Sequence, residues 1–231
     1  MKKIIVLVVA FLGAGLVFYL VNTSKTQEVV SPVQPVTPVV EKHTMSFFIT
    51  SSNPGSGGDL GGLAGADAYC SALAERAGVL GKSWKAYLST TGDGSVNARD
   101  RIGVGPWYNA NGELVAGTLA ELHGENMLTK TTALDENGNL VQGRGDTPNM
   151  HDILTGSISD GTASTSVAVD TTCSNWTASS TGSALVGHHD RVGRDDSAPM
   201  KSWNSAHGTR GCDIASFNQT GGGGLFYCFA E

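Results

Sequence analysis

The chain has 231 residues, with 31 glycines, 16% charged residues and a formal net charge of −6. The first 44 residues lack a globular pattern. The other 187 hold 11 basic and 19 acidic side chains, a balance of −8 that argues against nucleic acid or a heparin-type polyanion as the main partner. A cation, a glycan or a protein remains, on one domain large enough to bury a core and glycine-rich enough to be built from short elements and tight turns.

Lys2 and Lys3 precede eighteen uncharged residues, Ile4 to Val21. At about 1.5 Å per residue a helix of this length spans roughly 27 Å, near the thickness of a bilayer's hydrocarbon core. No small-x-small cleavage site follows, and no cysteine either, so an uncleaved signal anchor is expected over 1–22 rather than a cleaved leader or a lipoprotein. The positive-inside rule then places the C-terminal part outside the cytoplasm, as a single-pass protein of the cell membrane. Residues 23–44 read as a linker. Pro32, Pro35 and Pro38 recur at the three-residue period of polyproline II, and a fully extended linker would reach about 70 Å.

The domain, 45–231, opens with a strand over Met45 to Ser51 and a glycine-rich loop. The spacing of Ala66, Cys70, Leu73 and Ala77 predicts a helix over Leu63 to Ala77 with Gly78 as its C-terminal cap. A second strand is expected over Ser83 to Ser89. Asn111-Gly112 and Asn137-Gly138 each precede a short apolar run, the strongest two-residue hairpin signal. Asp135-x-Asn137-x-Asn139 resembles the start of a calcium loop, but its glycine sits one position early and no Glu closes it, so a plain hairpin is the expectation. Ile153 to Ser157 reads as a strand. Leu225 to Ala230 is apolar and aromatic throughout, which predicts a last strand buried on both faces.

All four cysteines lie in the domain, with no C-x-x-C pair, and in an exported chain an even, widely spaced set favours disulfides over zinc. A buried last strand carrying Cys228 needs a partner laid down earlier, and Cys70 is the only cysteine far upstream. Spacing alone still leaves three pairings open.

Gly61 to Cys70, Trp84 to Ser89 with Asp100-Arg101-Ile102 and Gly105 to Tyr108, and Cys173 to Thr177 with Tyr227-Cys228-Phe229 together make the domain resemble the C-type-lectin-like fold, within it the endostatin-like branch and its bacterial relatives of unassigned function. The resemblance implies an α+β domain of short strands, one or two helices and long loops, with any ligand site in the long middle region. It also implies the nested pairing Cys70–Cys228 and Cys173–Cys212. Sugar-binding members hold Ca²⁺ through Glu-Pro-Asn or Gln-Pro-Asp and Trp-Asn-Asp triplets. Here Thr147-Pro148-Asn149 and Trp203-Asn204-Ser205 stand instead, each without the carboxylate a hard cation needs, so no calcium–sugar site is carried over. The acidic balance and the lack of an N-terminal His cluster likewise carry over neither the heparin face nor the N-terminal zinc site linked to endostatin.

His188-His189-Asp190 with Asp195-Asp196 is the densest ligand-capable cluster, and His188, Asp195 and Asp196 are the metal candidates. Adjacent residues of an extended chain point to opposite sides, so His188 and His189 are not expected to share an ion, and Arg191 and Arg194 are expected to pair with the acids. A solvated polar loop without a cofactor is therefore the expectation. Trp203 is the aromatic most surrounded by polar residues, which makes it the candidate for stacking on a ligand, with Asn204, His207, Arg191 and Asp190 as its neighbours in a contact region over Gly187 to Gly211. Arg144-Gly145-Asp146 reads as a turn. No Gly-x-Ser-x-Gly, His-Glu-x-x-His or phosphate-binding loop is present, Glu121 and Glu125 have the spacing of a solvated helix face, and the cysteines are consumed in disulfides, so no enzyme is expected. The sequence thus points to a membrane-anchored extracytoplasmic module that binds a cell-surface glycan or protein. A structural cell-envelope protein is the alternative, and a hydrolase a more distant one.

Overall fold

The computed structural model describes residues 44–165 and 169–231, and within the preceding stretch the pairing of Leu7–Val8 with Tyr19–Leu20 as a short antiparallel ladder. The rest of the expected anchor and the linker up to residue 43 lie outside the described residues. No described helix is long and apolar enough to cross a membrane.

The domain is mixed α+β. In chain order its elements are β1 (Phe47–Ile49), α1 (Gly62–Arg76), β2 (Trp84–Ala86), β3 (Trp107–Tyr108), β4 (Leu114–Ala116), α2 (Leu119–Leu122), β5 (Asp152–Leu154), β6 (Leu185–His188), β7 (His207–Gly208), α3 (Ile214–Asn218) and β8 (Gly222–Ala230). All nine residues of β8 are buried. Its C-terminal half lies between β1 and β2, antiparallel to both, with Cys228 opposite Phe48 on one side and Ala86 on the other. Its N-terminal half runs parallel to β5, with Phe226 opposite Leu154. The sheet continues antiparallel through β6 and β7. β3 and β4 form a separate two-stranded ladder.

Alternation along β8 feeds two cores. Phe226, Cys228 and Ala230 face α1, where Ala66, Cys70, Leu73 and Ala74 are buried, together with Phe48, Leu154 and Val186. Leu225, Tyr227 and Phe229 face the opposite way, onto Phe47, Ile49, Tyr87, Trp107, Ile153 and Trp203. The small buried face of α1 lets it lie close to the sheet, and Gly78 ends it at φ +82. Asp67 ties the helix to β2, accepting from Ala86 N at 2.9 Å and from Arg101 Nη2 at 2.7 and 2.8 Å.

Cys70–Cys228 and Cys173–Cys212 are both formed, each with Cα atoms 5.7 Å apart. The nested pairing is therefore the one adopted. The first joins α1 to the central strand. The second holds an unusual turn, in which Cys173, Ser174, Asn175 and Trp176 all have positive φ, from 48° to 67°. Left-handed backbone costs about 1–2 kcal/mol per non-glycine residue. Three anchors offset that cost: the disulfide, the buried Trp176 donating from Nε1 to Ser89 O at 2.8 Å, and the Asn175 side chain bridging both backbone groups of Thr91.

The two Asn-Gly segments share one device. Asn109 Oδ1 accepts from the N–H groups of Asn111 and Glu113, Asp135 Oδ1 accepts from those of Asn137 and Asn139, and Gly112 and Gly138 follow at φ of about +80. The Asp135 carboxylate is thus engaged by amide donors, as in a plain turn. Glu125 lies beyond the end of α2 at Leu122, so it forms no helical pair with Glu121, whose carboxylate accepts from Gly117 N at 2.8 Å.

The second core encloses a polar relay. Tyr87 Oη lies 2.8 Å from His123 Nε2 and accepts from Asn204 Nδ2 at 3.0 Å, while His123 Nδ1 donates to Leu119 O at 2.9 Å. Burial holds His123 below its ordinary value of 6.5.

In the loop-entropy treatment, opening a disulfide that spans 158 residues costs about 5 kcal/mol and one that spans 39 about 4 kcal/mol, so Cys228→Ser should lower denaturant stability more than Cys212→Ser. Equal stability of both variants and the parent would contradict the cross-linked fold. For His123, the unfolded chain takes up the proton first as pH falls below 6.5, so its contribution is complete above that pH and is lost as pH drops toward the lower folded value. His123→Asn should therefore lose less melting temperature than the parent between pH 7.5 and 5.

Candidate functional site

The most chemically loaded place in the domain is where the apolar sheet turns polar. In β5 and β6, Leu154 pairs with Val186 and Asp152 with His188, so on one face the core's Leu–Val pair is followed by an Asp–His pair. β7 pairs His207 with Val186, which puts His207 diagonally next to His188. His151, just before β5, stacks its ring on His188 with centroids 4.3 Å apart.

The donor atoms converge. Asp152 Oδ1 lies 3.1 Å from His151 Nε2, 3.4 Å from His188 Nε2 and 3.5 Å from His207 Nε2, and the Nε2 atoms of His188 and His207 are 3.1 Å apart. His151, Asp152 and His188 are at most 2% exposed, whereas His207 is 29% exposed and forms the open side. Both Asp152 oxygens are buried without a hydrogen-bond partner despite this company, because none of the nearby nitrogens meets bonding geometry. Burial pushes the Asp152 carboxyl up, but the imidazoles of His188 and His207 outweigh it and hold it at about 2. The same contact with Asp152 raises His207.

Outer contacts fix the rings. His188 Nδ1 donates to Met200 O at 2.7 Å and His207 Nδ1 faces Gly208 O at 3.2 Å. His151 Nδ1 faces Asp190 Oδ1 at 3.5 Å. Asp190 also accepts from Arg144 N at 2.6 Å and Val192 N at 3.0 Å, so one carboxylate fixes the loop that carries Arg144 beside the His151 ring. Absent side chains make the room. A Cβ on Gly221 would come within 2.9 Å of His151 Nε2, one on Gly222 within 2.9 Å of Asp152 Cβ, and one on Gly143 within 2.6 Å of Asp190 Oδ2.

Above the cluster opens a cleft of about 620 Å³, lined by His151, His188, His207 and three arginines, Arg144, Arg194 and Arg210. All three arginines are exposed, and none forms an ion pair with an acid among the described residues. Arg144-Gly145-Asp146 is a turn, as expected, and its Asp146 is engaged by Lys130 Nζ at 2.5 Å and Gly143 N at 2.8 Å.

The site residues singled out in the sequence divide sharply. His188, Asp190 and His207 meet at this cluster. Trp203 does not offer a stacking face. It is 3% exposed and packs against Tyr87 and Tyr227, with centroids 4.8 and 5.2 Å away, because its neighbours in sequence are polar but its neighbours in space are aromatic. Asn204 is equally buried, and its amide nitrogen serves Tyr87 Oη and the carbonyls of Ile158 and Ser159. Arg191 is a structural cross-brace, donating to the Leu128 and Lys201 carbonyls and to Asn126 Oδ1 rather than to the nearby acids. Asp195 caps Ser197 N and Asp196 pairs with Lys201 on the exposed loop, so His188 takes its carboxylate company from Asp152 instead. His189 points away from His188, with Nε2 3.3 Å from Gln142 O.

His151 and Asp152 were missed by the sequence reading. The available signal was the mirrored ending of two strands, His151-Asp152 before Ile153-Leu154 and His188 after Leu185-Val186-Gly187, which an antiparallel pairing sets side by side. No protein-family model matches this chain, and no curated protein matches it.

Proposed function

We propose that the protein is a membrane-anchored extracytoplasmic binding module, without catalysis, that takes an anionic group of a cell-surface glycan into the cleft of Arg144, Arg194 and Arg210. The observation that carries this reading is the set of three guanidiniums without acidic partners around one polar cleft, in a chain whose net charge is negative. Arginine presents a planar fork of donors that matches a carboxylate or sulfate in two-point contact. A basic site of three residues on an acidic domain suits an isolated acidic sugar better than a long polyanion, which the surrounding carboxylates repel. The apolar stretch over 4–21, the proline-spaced linker and the two disulfides support placement at the outer face of a membrane.

The test is binding of the full-length chain, in detergent, to an array of acidic and neutral glycans, followed by titration of the best acidic glycan. Arg194→Ala and Arg210→Ala should each weaken that binding by about tenfold, the scale of one hydrogen bond to a charged group, and added salt should weaken the parent. Equal binding of neutral and acidic glycans, unaffected by either variant, would remove the anionic ligand. Turnover of the glycan would overturn the non-catalytic reading.

A further inference from the structure

We infer that His151, Asp152 and His188, joined by His207 from the open side, form a binding site for one divalent transition-metal ion, of the Zn²⁺ class, at the base of the arginine cleft.

Three observations carry this. The first is spacing. Four tetrahedral donors at bond lengths of about 2.0–2.1 Å stand about 3.3 Å apart. The donor atoms of His151, Asp152 and His188 all lie within 4.8 Å of one another, with Asp152 Oδ1 3.1 and 3.4 Å from the two Nε2 atoms. His207 approaches this trio from the open side, its Nε2 3.5 Å from Asp152 Oδ1 and 3.1 Å from His188 Nε2.

The second is the tautomers. Carbonyl oxygens only accept, so the contacts to Met200 O and Gly208 O place the Nδ1 protons of His188 and His207 outward. His151 Nδ1 lies 3.5 Å from Asp190 Oδ1 without forming a hydrogen bond, so the carbonyl contacts orient His188 and His207 alone. In the neutral form of these two rings, each Nε2 lone pair points inward. Two such nitrogens 3.1 Å apart, beside a carboxylate oxygen, call for a shared proton or a metal cation between them. Orienting ligand histidines through their outer nitrogen by carbonyls is the usual support of a metal site.

The third is the orphaned charge. Asp152 is 1% exposed and neither oxygen has a hydrogen-bond partner, a condition that costs free energy until a cation satisfies it.

The donor set selects the metal. Three imidazoles and one carboxylate suit Zn²⁺, Cu²⁺, Ni²⁺ or Co²⁺, whereas Ca²⁺ and Mg²⁺ call for oxygen ligands. The arginine cleft is a separate reading, since the metal is measured without any glycan.

The experiment is metal analysis of the full-length chain, stripped with a chelator, dialysed, and reloaded with Zn²⁺ or Co²⁺ alone. The expected result is one Zn²⁺ per chain, a rise in melting temperature on reloading, and a visible Co²⁺ spectrum of a tetrahedral nitrogen–oxygen site. His207→Gln, on the open side, should still fold and should weaken Zn²⁺ by more than about tenfold. His123→Asn, a buried histidine outside the cluster, should bind as the parent does. Absence of stoichiometric Zn²⁺ and of a Co²⁺ spectrum in the folded parent would overturn the inference, leaving an imidazole–carboxylate network in which one ring is charged. Binding unchanged in His207→Gln, or a stronger response to Ca²⁺ than to Zn²⁺, would overturn it equally.

Discussion

The domain depends on one strand that is last among the described elements and central in the sheet. β8 has neighbours along both edges and a core on each face, so three strands and a helix are placed by reference to it. Its neighbours come from β1, β2 and β5, all of them separated from it by many tens of residues, and such non-local pairings bring loop-closure costs before they bring contacts. A strand of this kind is vulnerable to slipping, because a shift of one residue exchanges the two faces. Here the slip is barred chemically. Cys228 must face α1 to reach Cys70, and a one-residue shift would point it at Trp107 and Trp203. The disulfide therefore fixes register as well as limiting the unfolded chain.

The same alternation places the candidate site. The face that carries Phe226, Leu154 and Val186 into the helix-side core ends, two residues along β5 and β6, at Asp152 and His188. Apolar side chains there would extend the core at no cost in buried charge. An aspartate that is 1% exposed, with no hydrogen-bond partner and held at about 2, breaks the rule that the rest of the sheet obeys. Local departures of this kind mark functional positions more often than packing errors. Glycines at 143, 221 and 222 reinforce the point, since each leaves out a Cβ that would strike Asp190, His151 or Asp152.

Much of the fold was legible because its signals are local. The unbroken apolar run of β8, the small face of α1 with Gly78 at its end, and the paired Asn-Gly turns each need fewer than twenty residues to read, and each element formed within a few residues of its expected span. The site was legible only in part. That neighbouring residues of a strand point apart was sufficient to separate His188 from His189, and His189 does turn away. What could not be read locally is that His207 and His151 converge on His188 across the sheet, from 19 residues after it and 37 before it. Trp203 misled for the opposite reason. Its sequence surroundings are polar, but burial is decided by β8, which presents Tyr227 to it from 24 residues further on.

Net charge describes the domain as a whole and not the cleft. An acidic balance excludes partners that meet the surface over many charges, because their binding sums over all of them. A single small anion meets only what lies within about a Debye length of it, roughly 8–10 Å at ordinary salt. The cleft lining contains Arg144, Arg194 and Arg210, while Asp152 and Asp190 are buried beneath it, Asp152 among imidazoles and Asp190 accepting from backbone amides. A cation held by the histidines would add to the same local field. The cleft is thus electropositive in an acidic protein by arrangement rather than by composition, and a site of that kind can select one charged group while repelling extended polyanions.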